Sequence, residues 1–118
     1  MRPIDVLKTR KPIKFNVSFT PSSSTSSGVT SSVTVPVTAS AIVTNGSARG
    51  SPSFAWSIPD PPTEGTASIT SGAASATAQL KVQAGLHDEP VTAQFQCAVT
   101  INGITRSALV SITYTWTT

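Results

Sequence analysis

Apolar and polar positions alternate through residues 94–116, QFQCAVTINGITRSALVSITYTW, with one interruption at Asn102-Gly103. Before it, Phe95, Cys97, Val99 and Ile101 share a face; after it, Ala108, Val110, Ile112, Tyr114 and Trp116 do. A period of two is the strand repeat. Asn-Gly between two such runs predicts a two-residue hairpin turn with both residues at positive φ.

The same period divides the rest of the chain. Phe15, Val17 and Phe19 form one apolar row, and Val33, Val35, Val37, Ala39, Ala41 and Val43 a longer one. Phe54, Trp56 and Ile58, then Ala67 and Ile69, then Ala76, Ala78, Leu80 and Val82 complete the set. The intervening PSSSTSSG (21–28), TNGSARGSP (44–52), PDPPTEG (59–65) and AGLHDEP (84–90) read as connections, the last as a loop or a single helical turn. Pro36 faces away from the apolar row and has no N–H, which predicts a bulge or an edge location. About seven strands with one apolar face each bury those faces most simply as two packed antiparallel sheets, an all-β sandwich.

Composition narrows the class further. The 118 residues are 38% hydrophobic, 6% aromatic and 11% charged, with Ser and Thr abundant. That length supports one domain with its own core. The single cysteine, Cys97, excludes an intrachain disulfide. The opening MRPIDVLKTR lacks an apolar signal-peptide core, and no stretch reaches the length of a membrane span, so synthesis in the cytoplasm without a cleaved signal is expected.

The formal charge of +3 is unevenly distributed. Residues 1–14 carry Arg2, Lys8, Arg10, Lys11 and Lys14 against Asp5 alone, a net +4. The rest carries Arg49, Lys81 and Arg106 against Asp60, Glu64, Asp88 and Glu89, a net −1. The division expected is therefore a basic arm over 1–14 and a sandwich over 15–118.

The set W56…G65-T-A-S-I…A76-x-A-x-L80…F95-Q-C97-A-V-T-x-N-G resembles the immunoglobulin-like domains of bacteriophage virion proteins, over roughly residues 12–117. In such sandwiches a third-strand tryptophan packs near a sixth-strand cysteine, the places of Trp56 and Cys97. The second-strand cysteine of antibody domains would fall near 41–43 and is absent, and Phe95 stands where a tyrosine corner would have its tyrosine. The resemblance implies an immunoglobulin-like fold and a non-enzymatic structural role, decorating or reinforcing a phage capsid or tail. It implies major capsid or other virion proteins as partners, oligomeric or lattice-bound copies, and location in the virion. No family catalytic motif carries over.

Candidate chemistry is sparse. His87, beside Asp88 and Glu89, is the one histidine, and a solvated loop accounts for it more simply than general acid–base catalysis. One Cys and one His fall short of a zinc ligand set, and no metal or other cofactor is expected. Phe15, Val17, Val35, Val37, Trp56, Leu80, Phe95, Cys97, Val99, Val110 and Ile112 read as core. Tyr114 and Trp116, near the end of the chain, are candidates for a subunit contact.

The arm offers Val6 and Leu7 beside its cations, a combination suited to an acidic protein surface. It has no aromatic residue before Phe15 to stack on bases, which argues against nucleic acid. The alternative is an adhesive phage domain that binds host-surface or mucosal glycans through loop residues Asn45, Arg49, Asp60, Glu64 and His87.

Overall fold

β-Branched and small residues in strict alternation make poor helices and good half-buried strands. The computed structural model, which describes residues 13–117, is built from eight of them. They are β1 (Lys14–Thr20), β2 (Ser23–Gly28), β3 (Ser32–Asn45), β4 (Ser53–Asp60), β5 (Gly65–Ser71), β6 (Thr77–Ala84), β7 (Val91–Ile101) and β8 (Ile104–Trp116). Two four-stranded sheets result, ordered β1-β3-β6-β5 and β2-β8-β7-β4.

Seven strands were predicted and eight form, because β2 lies within the PSSSTSSG stretch read as a loop. Its residues offer no apolar alternation. Ser23–Gly28 is held instead by backbone pairing with Ser111–Trp116 of β8, in parallel, so this sheet is mixed rather than purely antiparallel. The chain changes sheets between β1 and β2 at a cis Thr20–Pro21 bond. Gly28 closes the strand against the Tyr114 ring; a Cβ there would stand 2.9 Å from the tyrosine oxygen.

β3 is long enough to serve two neighbours in turn. Its first half, from Ser32 to Thr38, pairs with β6, and its second half, from Thr38 to Asn45, pairs with β1. Pro36 lies in the first half, where β3 has a ladder partner on the β6 side alone, so its missing N–H breaks no second ladder.

The inner faces bury Phe15, Val37, Trp56, Leu80, Phe95, Cys97, Val99, Val110 and Ile112 in one cluster, with Val17 and Val35 partly buried against it. Burying each of the larger aliphatic or aromatic side chains contributes roughly 1.5–3 kcal/mol. Ile13 also enters this cluster and Lys14 opens β1, so these two residues, grouped with the arm by charge, belong to the described sandwich. Arg2, Val6, Leu7, Lys8, Arg10 and Lys11 lie outside the described residues.

Tyr114, a candidate for subunit contact, is buried: its position on β8 turns inward, and its hydroxyl donates to the Thr30 carbonyl. Trp116 is half-buried. The outer face of the β2-β8-β7-β4 sheet carries threonine pairs, with hydroxyls of Thr92 and Thr113, and of Thr100 and Thr105, 2.8 Å apart. Such cross-strand pairs tie neighbouring strands on the solvent side.

Candidate functional site

Both poles of the sandwich are defined by β3. Its Ser32 lies opposite Gln83 at one end, and its Asn45 opposite Lys14 at the other. Pairing of Gly65 with Ala84, Gly28 with Trp116 and Val91 with Tyr114 gathers the connections 29–31, 61–64 and 85–90 at the first end. The second end gathers the start of β1, the connection 46–52 and the Asn102-Gly103 turn.

Charge separates along the same axis. All the carboxylates among the described side chains sit at the first pole, Asp60 at the end of β4 and Glu64, Asp88 and Glu89 in its connections. Lys14 and Arg49 belong to the second pole, and Arg106, opposite Val99, lies on its side of the hairpin. Lys81 stands between, on β6.

At the acidic pole a groove of about 360 Å³ opens between the end of β4 and the start of β7. Asp60, Pro61, Pro62 and Glu64 line one side, and Pro90, Val91, Thr92 and Gln94 the other. Its form follows from its sequence. Three prolines fix φ and withhold N–H groups, so the connections cannot extend the sheets and instead stand apart. The register of β4 also shifts between Ser57 and Asp60, a local irregularity after which Asp60 pairs with Gln94. The groove thus has rigid pyrrolidine walls and two carboxylates.

His87 lies at the same pole, outside this groove. Its ring stacks on Trp116, with centroids 3.7 Å apart and planes 34° from parallel. The contact is pinned by the backbone: the Asp88 N–H donates to the Trp116 carbonyl at 2.7 Å, with Asp88 at positive φ, and the Trp116 indole donates to the Val29 carbonyl at 3.2 Å. Leu86 and Val29 are exposed beside these residues, at 53% and 76%. His87 therefore locks the end of β8 to the 85–90 connection.

The five loop residues grouped from sequence do not form one site. Asp60 and Glu64 meet in the groove, His87 packs nearby, and Asn45 and Arg49 are at the opposite pole. There, Asn102 accepts from the Arg49 backbone N–H at 2.7 Å and donates through Nδ2 to the Ser47 carbonyl at 2.9 Å. The turn asparagine thereby clamps the neighbouring connection. Sequence identifies Asn102 as a turn former, but the clamp depends on a loop 53 residues away in sequence.

Cys97 is fully buried, and burial pushes its thiol above the usual range, outweighing a backbone hydrogen bond from Ala55 that lowers it. The reactive thiolate is disfavoured. Among the described residues, no three His, Cys, Asp or Glu side chains gather in a metal-binding group.

A further feature escaped the periodicity. Residues 72–76, between β5 and β6, fold over the edge strand β4: the Trp56 backbone N–H donates to the Ala73 carbonyl and its indole N–H to the Ser75 carbonyl, both at 2.8 Å. This covers β4 and leaves its groove end free. Comparison with protein-family models and with curated proteins finds no match to the chain.

Proposed function

We propose that this chain is a non-enzymatic structural protein of a bacteriophage virion, an immunoglobulin-like sandwich that decorates or reinforces a capsid or tail. Its N-terminal basic arm docks onto an acidic surface of the assembled lattice. The observation that carries the reading is the strand order. With β1 and β2 taken as two halves of a split first strand, β1-β3-β6-β5 and β2-β8-β7-β4 correspond to the A-B-E-D and A-G-F-C sheets of immunoglobulin sandwiches. On this reading Trp56 and Cys97, directly opposed neighbours of β4 and β7, would take the strand C and strand F places. The role rests on the family resemblance together with the separation of a basic arm from a body whose described carboxylates gather at one pole.

Deleting residues 1–12 tests the role. The cut belongs after Pro12, because Ile13 is core. A folded protein that no longer joins phage particles is the expected result, and undiminished incorporation refutes arm docking. The adhesive alternative draws on the polar groove at Asp60 and Glu64. Saturable glycan binding that survives the deletion but is lost in D60A/E64A would favour it. Salt-dependent retention on DNA, lost with the arm, would instead mark a nucleic-acid contact.

A further inference from the structure

The groove at the acidic pole joins three prolines to two carboxylates in a largely polar lining, and the chain itself contains a segment of complementary chemistry. Residues 6–11, VLKTRK, place an apolar pair directly before three cations. We infer that the groove of one copy receives this segment of a second copy, with Val6 and Leu7 against the prolines and Lys8, Arg10 and Lys11 facing Asp60 and Glu64. The inference rests on the reading of the arm as a docking element and names the surface that it grips.

Two observations select a second copy over the same chain. The first is reach. Lys8 is five residues from Ile13, which confines it to about 18 Å from that point even at full extension. Ile13 lies at the basic pole, where its Cα stands close to Gly46. The groove is at the opposite pole, and β3, which runs between the poles, has 14 residues, roughly 45 Å at the rise of a strand. The cations therefore cannot fold back into their own groove, wherever the chain before them begins.

The second observation is polarity. With carboxylates at one pole and the leader issuing from the other, copies placed head to tail bring unlike charges together, whereas copies placed pole to pole oppose like charges. A head-to-tail contact is heterologous, so it propagates into rings or open rows, the geometry a repeating lattice requires. Its ion pairs are exposed, so the contact is weak and screened by salt.

Sedimentation velocity of the full chain tests this. Concentration-dependent association is expected at about 50 mM salt, falling at least several-fold at about 500 mM as screening shortens the reach of the charges. K8E/R10E/K11E and D60K/E64K should each be monomeric at low salt while melting like the parent. An equimolar mixture of the two should regain association, since each reversed arm then meets a reversed groove. A parent chain that stays monomeric, a groove reversal without effect, or a mixture that stays monomeric would each overturn the inference. Carbodiimide cross-linking of mixed ¹⁵N-labelled and unlabelled parent chains supplies an independent readout: intermolecular links from Lys8 or Lys11 to Asp60 or Glu64 are expected, and links confined to other carboxylates count against the groove. The two levels separate cleanly. If the chain lacking 1–12 still joins particles, arm docking itself fails. If that chain fails to join while D60K/E64K self-associates like the parent, only the groove assignment fails.

Discussion

Trp56 and Cys97 face each other across β4 and β7, and the Trp56 indole is tied to the Ser75 carbonyl at 2.8 Å. One side chain thus joins the core of one sheet to a turn of the other. Trp56→Phe keeps most of the buried area but leaves the Ser75 carbonyl unpaired. The expected loss is about 1–2 kcal/mol, read from urea denaturation. Acrylamide quenching should rise at the same time, because the remaining Trp116 is half-buried whereas Trp56 is 6% exposed.

Cys97 gives stability a pH dependence of defined sign. Burial raises the folded-state pKa above the ordinary value of 9.0, so above about pH 9 the unfolded thiol ionises first. The unfolded state then binds fewer protons, and stability, complete below that pH, declines as pH rises. The slope should be at most about 1.4 kcal/mol per pH unit. Cys97→Ala, itself costing about 1–2 kcal/mol, should flatten this alkaline slope. An unchanged slope would assign it to other groups.

Asn102 does two jobs, turning the chain at φ 53° and clamping the 46–52 connection. Asn102→Ala should cost about 1–3 kcal/mol, from left-handed strain and two lost hydrogen bonds. Amide exchange should accelerate at Arg49 more than at the β2 end of the molecule.

Gly72 sits at φ 77°, and a Cβ there would lie 2.2 Å from the Thr77 carbonyl oxygen. Gly72→Ala should cost about 2–4 kcal/mol, because both the backbone conformation and the contact must change. Calorimetry checks it. Gly50→Ala, at φ 90° but with open space around the added carbon, should cost clearly less.

Trp116 holds the acidic pole together through its stack on His87 and its indole bond to Val29. Trp116→Ala should lower stability by roughly 2–3 kcal/mol. Amide protection at Asp88, which donates to the Trp116 carbonyl, should fall most.

The periodicity of the chain carries the sandwich. Seven apolar rows with polar opposite faces admit strands and little else, and Asn102-Gly103 specifies its own turn because positive φ is a local property of those two residues. The strand β2 was illegible for the converse reason. A run of serines has no preferred face, and only β8, some 90 residues away in sequence, supplies the backbone groups that extend it. Charge counting separated a basic leader from the body, but it placed the division after Lys14. The inward packing of Ile13 and the place of Lys14 in β1 put both residues in the described sandwich.

The gathering of carboxylates at one pole, the proline-walled groove between β4 and β7, and the division of the loop residues between two ends depend on which strand ends meet. Strand order decides those meetings, and it is set by long-range packing of the two sheets rather than by any local preference of the chain.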